Sequence, residues 1–158
     1  MRGHRIPHFL LATHPTIVGL MPQTISKGYK ALVAEAEAGI ETLSPDAAIA
    51  LHDDPDVVFI DLRDIRELQR VGRMPGAHHC PRGMLEFWID PDSPYHREIF
   101  AQEKKFVFFC AAGWRSALAA KTAADMGLQP VAHIAEGFDG WKETGGPVDL
   151  PEDKHRDA

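Results

Sequence analysis

Cysteine is scarce in this chain of 158 residues, which carries only Cys80 and Cys110. The two cysteines stand beside different apolar runs, and a disulfide between them would block the one thiol that the sequence presents as reactive. Two thiols in a chain of ordinary composition are typical of a reducing compartment, so we expect a cytoplasmic protein with free cysteines. We expect Cys80 to be a core residue, the alternative being a resolving thiol that reacts with oxidised Cys110.

Metal-ligand patterns are lacking as well. There is no C-x-x-C pair, and no H-x-x-x-H pair comes with a third ligand. His78 and His79 are neighbours on a predicted strand, so their side chains point to opposite faces and do not chelate one ion easily. We therefore expect no metal site.

Long apolar runs and an excess of positive charge are also missing. No stretch is long and apolar enough to span a membrane, so we expect no membrane partner. The formal net charge of −6 argues against nucleic acid as a partner, because phosphate binding needs a basic face. With 44% apolar and 25% charged residues, the chain is long enough for one compact domain.

The N-terminal region has a mixed pattern. A basic start and a fairly apolar stretch from Ile6 to Met21 faintly resemble a secretory signal, but two prolines and two histidines interrupt the stretch and no clean cleavage site follows. We expect residues 1–25 to be an extension that packs on an apolar surface or forms a homodimer, with secretion as the less favoured alternative. Residues 26–150 are expected to form a single domain, and residues 151–158 a polar tail.

Helical and extended patterns alternate through the rest of the chain, which implies parallel strands joined by helical crossovers. The predicted helices are residues 27–39, 47–52, 65–70, 93–101, 116–126 and 138–144, and the predicted strands are residues 40–43, 57–61, 77–80, 105–109 and 131–134.

Cys110 is the most informative residue, because a strand delivers it to a short loop that runs directly into a helix. Unpaired N–H groups of the first helical turn and the positive end of the helix dipole then point toward the sulfur. Arg115 adds a full positive charge. Such surroundings favour the thiolate and make a cysteine nucleophilic, so we expect Cys110 to be a nucleophile rather than an inert buried cysteine.

A cysteine in a loop closed by arginine is known from two reactions, hydrolysis of phosphate esters and transfer of sulfur. Four residues separate Cys110 from Arg115, and the pattern C-x-x-G-x-R resembles the active-site loop of the rhodanese family of sulfurtransferases. The related cysteine phosphatases, some of which share the rhodanese fold, have five residues in this interval. By this resemblance the shorter loop forms a tighter ring of amides that suits a sulfur atom.

A second motif lies upstream. Residues 61–63 end a predicted strand with Asp-Leu-Arg, and Glu67 and the stretch Gly72–Ala77 follow. The arrangement is similar to the family's D-x-R, E and G-H-I-P-G-A, with Arg73 and Met74 in place of the usual histidine and isoleucine.

A third motif lies downstream, where residues 137–141 and 145–148 resemble the family's G-x-x-x-W and G-x-P-V ending. The three motifs occur in the family's order over roughly residues 40–149. The chain is therefore identified as a member of the rhodanese family. The resemblance implies a rhodanese-like α/β fold, in which a central, mainly parallel sheet of about five strands is flanked by helices on both faces.

The resemblance also implies a sulfurtransferase similar to thiosulfate sulfurtransferases, which needs no cofactor. Cys110 would take sulfane sulfur from thiosulfate or an organic persulfide as a persulfide, and pass it to a thiophilic acceptor, cyanide or a thiol. Arg115 would fix the loop and add charge. Preorganised N–H groups would hold the persulfide's charge; they belong to Ala111, Ala112, Gly113, Trp114 and Ser116.

Asp61 and Arg63 are expected to support the site, because the matching positions in relatives help anchor the active-site loop. Asp61 would pair with Arg115 or cap an amide, and ordinary solvent exposure is the alternative for both residues. Glu67 is expected to serve local structure rather than chemistry.

The loop composition bears on the donor. Relatives that favour thiosulfate often carry basic side chains in the loop, whereas Ala111, Ala112 and Trp114 make a less charged rim that favours an organic or protein-bound persulfide. Residues 81–91 are a candidate wall of the pocket, with Arg82 and Trp88 as the side chains to test, although their near-helical spacing is more typical of a buried face.

Two other functional classes stay open. A cysteine phosphatase or arsenate reductase would use the same thiolate and arginine. A non-catalytic rhodanese-type module would bind a partner through the N-terminal extension, but modules of that sort commonly lose the cysteine that is present here.

Overall fold

The computed structural model describes residues 23–152, so the expectations for residues 1–22, including a homodimer formed through them, and for residues 153–158 lie outside the described residues. Among residues 23–152 no helix has the length and apolar character needed to cross a membrane. The helices and strands are α1 (Tyr29–Gly39), β1 (Glu41–Leu43), α2 (Pro45–Leu51), β2 (Val57–Asp61), α3 (Ile65–Val71), β3 (His78–His79), α4 (Leu85–Ile89), β4 (Lys105–Phe109), α5 (Trp114–Asp125), β5 (Val131–Ile134) and α6 (Gly137–Glu143), with 3-10 turns at Arg82–Met84 and Glu98–Ala101.

The five strands form one sheet in the order β1-β5-β4-β2-β3. Every strand pair is parallel. The carboxyl ends of parallel strands meet at one edge of a sheet, which is where sites form in α/β folds. Asp61 lies opposite Phe109 in the β2–β4 register. The end of β2 and the residue after β4, Cys110, are therefore neighbours at that edge.

Helices cover both faces of the sheet, because alternate residues of each strand point to opposite sides. On one face, Phe106 and Phe108 of β4 pack against the alanine-rich side of α5 and against α4, and α1 lies on α5. On the other face, Val107 and Phe109 pack with α2 and with Trp141 of α6. The expected α/β sheet of about five strands between two helical layers is confirmed.

Local sequence signals explain where two of the helices, α2 and α3, begin. Ser44 caps α2 by accepting from the backbone N–H of Ala47, and Pro45 occupies the first helical position. Asp64 caps α3 in a capping box with Glu67.

The predicted helix at residues 93–101 is wrong. Side chains at the start of this segment and just before it compete with helical hydrogen bonding. Ser93 Oγ accepts from the N–H of Tyr95, and Asp90 Oδ1 accepts from the N–H of Asp92. Only the 3-10 turn Glu98–Ala101 remains of that prediction. A regular helix, α4, forms instead in residues 81–91, where the sequence had indicated near-helical spacing.

Candidate active site

The sulfur of Cys110 lies inside a turn of backbone that begins directly after β4. The residue is 1% exposed, and the N–H of Gly113 donates to Sγ over 3.2 Å. Gly113 has φ +101° and caps α5, which it joins to the loop through a left-handed conformation that favours glycine. One N–H of the expected cradle, that of Gly113 at the start of α5, thus contacts the sulfur, and the role of the other loop amides stays a prediction.

The start of α6 fixes the other side of this loop. The N–H of Phe138 donates to the carbonyl of Cys110 over 2.7 Å, and that of Asp139 donates to the carbonyl of Ala111 over 3.1 Å. Gly137 has φ +56°, and a Cβ on it would overlap the Cys110 carbonyl oxygen and lie 2.7 Å from the carbonyl carbon of Ala111. The downstream glycine motif therefore positions the backbone of Cys110 itself, a role that the sequence analysis did not assign to it.

Arg115 is held by Glu67 and not by Asp61, so the expected pairing with Asp61 is wrong. The two guanidinium NH groups of Arg115 each donate to one Glu67 oxygen over 2.9 Å. This bond raises the pKa of Arg115, and the Cys110 sulfur acts on it in the same direction. The same bond lowers the pKa of Glu67. Glu67 also accepts a hydrogen bond from the backbone N–H of Asp64 over 2.8 Å. Glu67 therefore couples the cap of α3 to the active-site arginine.

Asp61 pairs with Arg63, and both side chains are buried. The guanidinium Nη2 donates to Asp61 Oδ2 over 2.7 Å and to the carbonyl of Gly72 over 3.1 Å. Asp61 also accepts from the backbone N–H of Arg63, so it does cap an amide. The guanidinium lies 4.1 Å from the ring centroid of Phe138. The pair thus supports the loop indirectly, through the residue that anchors the Cys110 carbonyl.

Ser116 is the polar side chain that approaches the thiol most directly. It is fully buried, and its Oγ lies 3.6 Å from Cys110 Sγ. The hydroxyl also reaches the carbonyl of Gly113 at 3.3 Å and the Nδ1 of His133 at 3.0 Å. The sequence assigned only the Ser116 amide to the cradle and missed His133, because a histidine within an apolar strand carries no signal of what it faces.

The rim of the loop is apolar. Ala112 and Trp114 are exposed, and the Trp114 ring, 56% exposed, lies 4.8 Å between centroids from the ring of Tyr29 on α1. Arg115, whose side chain is 42% exposed, supplies the positive charge of the rim.

The two candidate wall residues separate in the structure. The backbone N–H of Arg82 donates to the carbonyl of Leu62 at the carboxyl edge, and its guanidinium pairs with Glu86 at 2.7 Å. Trp88 stacks under Arg97, 4.7 Å from the ring centroid, and lines a pocket of about 380 Å³ beside β3 whose lining contains none of residues 110–116.

Cys80 belongs to the buried core cluster that includes α4 and α5. Burial raises the pKa of its thiol to about 12, so it is protonated at neutral pH. Both cysteines are free thiols. Among residues 23–152 no group of three or more His, Cys, Asp or Glu side chains is placed to hold a metal ion.

The structure is thus an α/β domain with a thiol at the carboxyl edge of its parallel sheet, bonded to one loop amide and interacting with an arginine. The family model for the rhodanese-like domain matches residues 44–144. The chain therefore belongs to the rhodanese-like domain family.

Three relatives illustrate this similarity. A protein of unknown function from Rhodopseudomonas palustris, described as a possible tyrosine phosphatase, is 60% identical, covers 82% of this chain and 99% of its own, and superposes with a TM-score of 0.79. The polysulfide-sulfur transferase homodimer of Wolinella succinogenes is 33% identical, with coverage of 81% and 90% and a TM-score of 0.60. The mouse thiosulfate sulfurtransferase/rhodanese-like domain-containing protein 3 is 30% identical over 91 residues, which span 54% of this chain and 58% of the mouse protein.

Proposed function

We propose that the protein is a sulfurtransferase that carries sulfur as a persulfide on Cys110. The observation that carries this proposal is the short loop, which places the Gly113 N–H 3.2 Å from the sulfur at the N-terminus of a twelve-residue helix. This amide would stabilise the negative charge of a persulfide formed on Cys110. The arrangement stabilises an anion at the sulfur by preorganised dipoles.

In the first half-reaction the Cys110 thiolate attacks the sulfane sulfur of the donor. A new S–S bond forms on Cys110, and the donor's own bond to that sulfur breaks. The leaving group departs with the bonding electron pair, as sulfite from thiosulfate or as a thiolate from an organic persulfide. Arg115 attracts the anionic donor, and Glu67 holds its guanidinium at both NH groups so that it reaches the loop in one orientation.

In the second half-reaction an acceptor thiolate or cyanide attacks the outer sulfur of the persulfide. The S–S bond on Cys110 breaks, the electron pair returns to the Cys110 thiolate, and the acceptor leaves as a persulfide or as thiocyanate. Cys80 takes no part in either step, since its thiol is protonated and buried in the core.

The apolar rim favours an organic or protein-bound persulfide, or polysulfide, over thiosulfate as the donor. Ala111, Ala112 and Trp114 add no charge around the sulfur, and the half-exposed ring of Tyr29 extends the apolar surface beside Trp114. A doubly charged small anion gains from several cations, whereas this rim offers Arg115. The similarity to the polysulfide-sulfur transferase of Wolinella succinogenes supports the same choice.

Cysteine-dependent phosphate-ester hydrolysis is the second candidate, because the 60% identical protein from Rhodopseudomonas palustris is described as a possible tyrosine phosphatase. The loop argues against it. A phosphoryl group presents three equatorial oxygens to its site, and a loop with four residues between cysteine and arginine has fewer amides to surround them.

The test is the intact mass of the reduced protein after treatment with thiosulfate, and separately with glutathione persulfide, beside Cys110→Ser. We expect a gain of one sulfur atom that cyanide removes and that Cys110→Ser lacks, larger with the organic donor. A gain with thiosulfate alone would overturn the donor preference.

No gain with either donor would overturn sulfur transfer altogether. Hydrolysis of para-nitrophenyl phosphate that depends on Cys110 would then establish the phosphatase, and the absence of both activities would leave a non-catalytic binding module.

A further inference from the structure

His133 is a buried histidine on β5 that the sulfur-transfer steps do not use. It is 0% exposed and lies between Phe108 of β4 and Thr42 of β1 in the strand register. Burial lowers the pKa of its imidazole, which is therefore neutral near pH 7 and able both to donate and to accept. A buried neutral histidine needs partners for both nitrogens, and these partners define its role.

The partners lie on two different helices. Nδ1 lies 3.0 Å from Ser116 Oγ on α5, and that oxygen lies 3.6 Å from Cys110 Sγ. Nε2 is buried without a hydrogen-bond partner among residues 23–152, and Glu37 Oε1 on α1 lies 3.5 Å from it. The Glu37 side chain is 42% exposed. Four polar groups thus form a row from the active sulfur to the solvent.

With the serine O–H donating along the row rather than to the Gly113 carbonyl at 3.3 Å, protons can occupy the row in two consistent ways. With Cys110 as a thiol, the S–H donates to Ser116 Oγ, the serine O–H donates to Nδ1, and the Nε2–H faces the Glu37 carboxylate. With Cys110 as a thiolate, the two inner bonds reverse: His133 donates from Nδ1 to Ser116, the serine O–H donates to the sulfur, and Nε2 has lost its proton. The two arrangements differ by one proton and by the tautomer of His133.

We propose that His133 is a positioning residue that removes the thiol proton of Cys110 through Ser116 and releases it at Glu37. As the S–H bond breaks, the proton passes to Ser116 Oγ, the serine proton passes to Nδ1, and the Nε2 proton passes to the Glu37 carboxylate and then to water. The electron pair of the S–H bond stays on the sulfur. His133 ends neutral, as the Nδ1–H tautomer, and holds the Ser116 hydroxyl toward the thiolate.

This inference rests on Cys110 as the nucleophile of the proposed function, but the proton step precedes any sulfur chemistry. The groups that face His133 are Ser116 from α5, Glu37 from α1, and the neutral residues Phe108 and Thr42 on the flanking strands. Among these groups Glu37 is the one that can take the Nε2 proton and pass it to the solvent.

The tautomer of His133 tests the proposal in the unaltered protein. Nitrogen-15 spectra of histidine-labelled protein identify which ring nitrogen carries the proton. We expect the proton to move from Nε2 to Nδ1 over the pH range in which alkylation of Cys110 by iodoacetamide accelerates, and to stay on Nε2 in Cys110→Ser. An unchanged tautomer in the native chain, or the same change in Cys110→Ser, overturns the proposal.

Variants provide a second test with a readout that a structural role would not move. At pH 7 we expect Ser116→Ala and His133→Leu each to slow Cys110 alkylation about tenfold, the value of one hydrogen bond to a charged group. The rates should converge with the native rate at high pH.

His133→Asn should recover most of the rate of alkylation, because its amide can still donate to Ser116 and hold the hydroxyl toward the thiolate, although an amide cannot take up the proton. The double variant Ser116→Ala, His133→Leu should be no slower than Ser116→Ala alone. Glu35→Gln is the matched control on α1, since Glu35 pairs with Lys27 at the surface, and we expect the native rate. The proposal is overturned if His133→Leu keeps the native rate of Cys110 alkylation, or if the double variant is slowed by the product of the two single effects.

Neither measurement needs a sulfur donor. A tautomer change without persulfide formation would therefore overturn only the proposed sulfur transfer, and persulfide formation without the tautomer change would overturn only the role of His133.

Discussion

Replacing Glu67 with glutamine is expected to weaken the hold on Arg115 while leaving the cap of α3 in place. Glu67 accepts from both guanidinium NH groups of Arg115 and from the backbone N–H of Asp64. A glutamine keeps an oxygen for the Asp64 amide, but it loses the charge and presents an NH₂ group to the arginine. Alanine removes both the bond to the Asp64 amide and the pair with Arg115. Comparing Glu67→Gln with Glu67→Ala therefore separates the capping role from the hold on Arg115.

The expected cost follows from burial and geometry. A charge-assisted bidentate pair is worth up to about 3 kcal/mol when buried, but the Arg115 side chain is 42% exposed, and exposed pairs are worth about 0.2–1 kcal/mol. We therefore expect Glu67→Gln to lower the free energy of unfolding by about 1 kcal/mol. Glu67→Ala also loses a capping bond and should lose about 2 kcal/mol in total.

Urea unfolding measured between pH 3 and pH 7 provides the check. The folded-state pKa of Glu67 is lowered from 4.5, so its stabilising effect is fully present above the unfolded value and is lost as the pH falls through the folded value. The stability difference between the native chain and Glu67→Gln should be constant from pH 6 to pH 7 and shrink below about pH 4.5. Asp125→Asn, which breaks an exposed pair with Lys121 on the same helix as Arg115, is the matched control and should cost under about 0.5 kcal/mol.

The rate of persulfide formation on Cys110 should fall roughly tenfold in Glu67→Gln, because a guanidinium that is not oriented contributes less to the reacting geometry. The rate should be unchanged in Asp125→Asn. If Glu67→Gln keeps both the native rate and the native acid dependence of stability, and only Glu67→Ala loses stability, the carboxylate acts as a helix cap alone and the argument for Arg115 fails.

Three further outcomes are expected. Asp61→Asn should lower the free energy of unfolding by about 3 kcal/mol in urea unfolding, because it leaves the buried charge of Arg63 uncompensated; a loss under about 1 kcal/mol would contradict this. Gly137→Ala should unfold at lower urea than Gly145→Ala, since both have positive φ but only a Cβ on Gly137 meets the Cys110 loop; equal losses would refute a steric role. Cys80→Ala should form persulfide at the native rate, measured by mass, and a slower rate would revive Cys80 as a resolving thiol.

Much of the fold was predictable because apolar periodicity is strong where strands are buried. The strands at 57–61, 105–109 and 131–134 were predicted with the boundaries that the structure has. The helix expected at residues 47–52 is also present, and it begins two residues earlier at Pro45, directly after its cap Ser44. The helix prediction for residues 93–101 failed because Asp90 and Ser93 side chains accept from nearby backbone N–H groups in turns. Whether such side chains or the helix bind these N–H groups depends on local geometry, which composition does not show.

The candidate site was predictable only where its residues lie close together in the sequence. Cys110 and the glycine and arginine of its loop lie within six residues, so their meeting followed from the strand–loop–helix order. The carboxylate that holds Arg115 comes from 48 residues earlier. In the sequence, Asp61 at the end of a strand and Glu67 in a helix are equally plausible partners for Arg115. Only the folded position of α3, which brings Glu67 to Arg115, shows which of them forms the pair.

The inner and outer sides of the Cys110 loop make different contacts, and under the proposed function the inner side serves the reaction and the outer side the choice of donor. On the inner side of the loop, N–H groups of α6 donate to loop carbonyls, Ser116 Oγ lies beside the sulfur, and Glu67 holds Arg115. Three separate parts of the fold therefore fix the sulfur and the groups that contact it. The outer side of the loop consists of Ala112 and Trp114, which are exposed. A change at the outer side alters what the donor touches without moving the amides around Cys110. Under the proposed sulfur transfer, the choice of sulfur donor can therefore vary on this scaffold while the persulfide step stays the same.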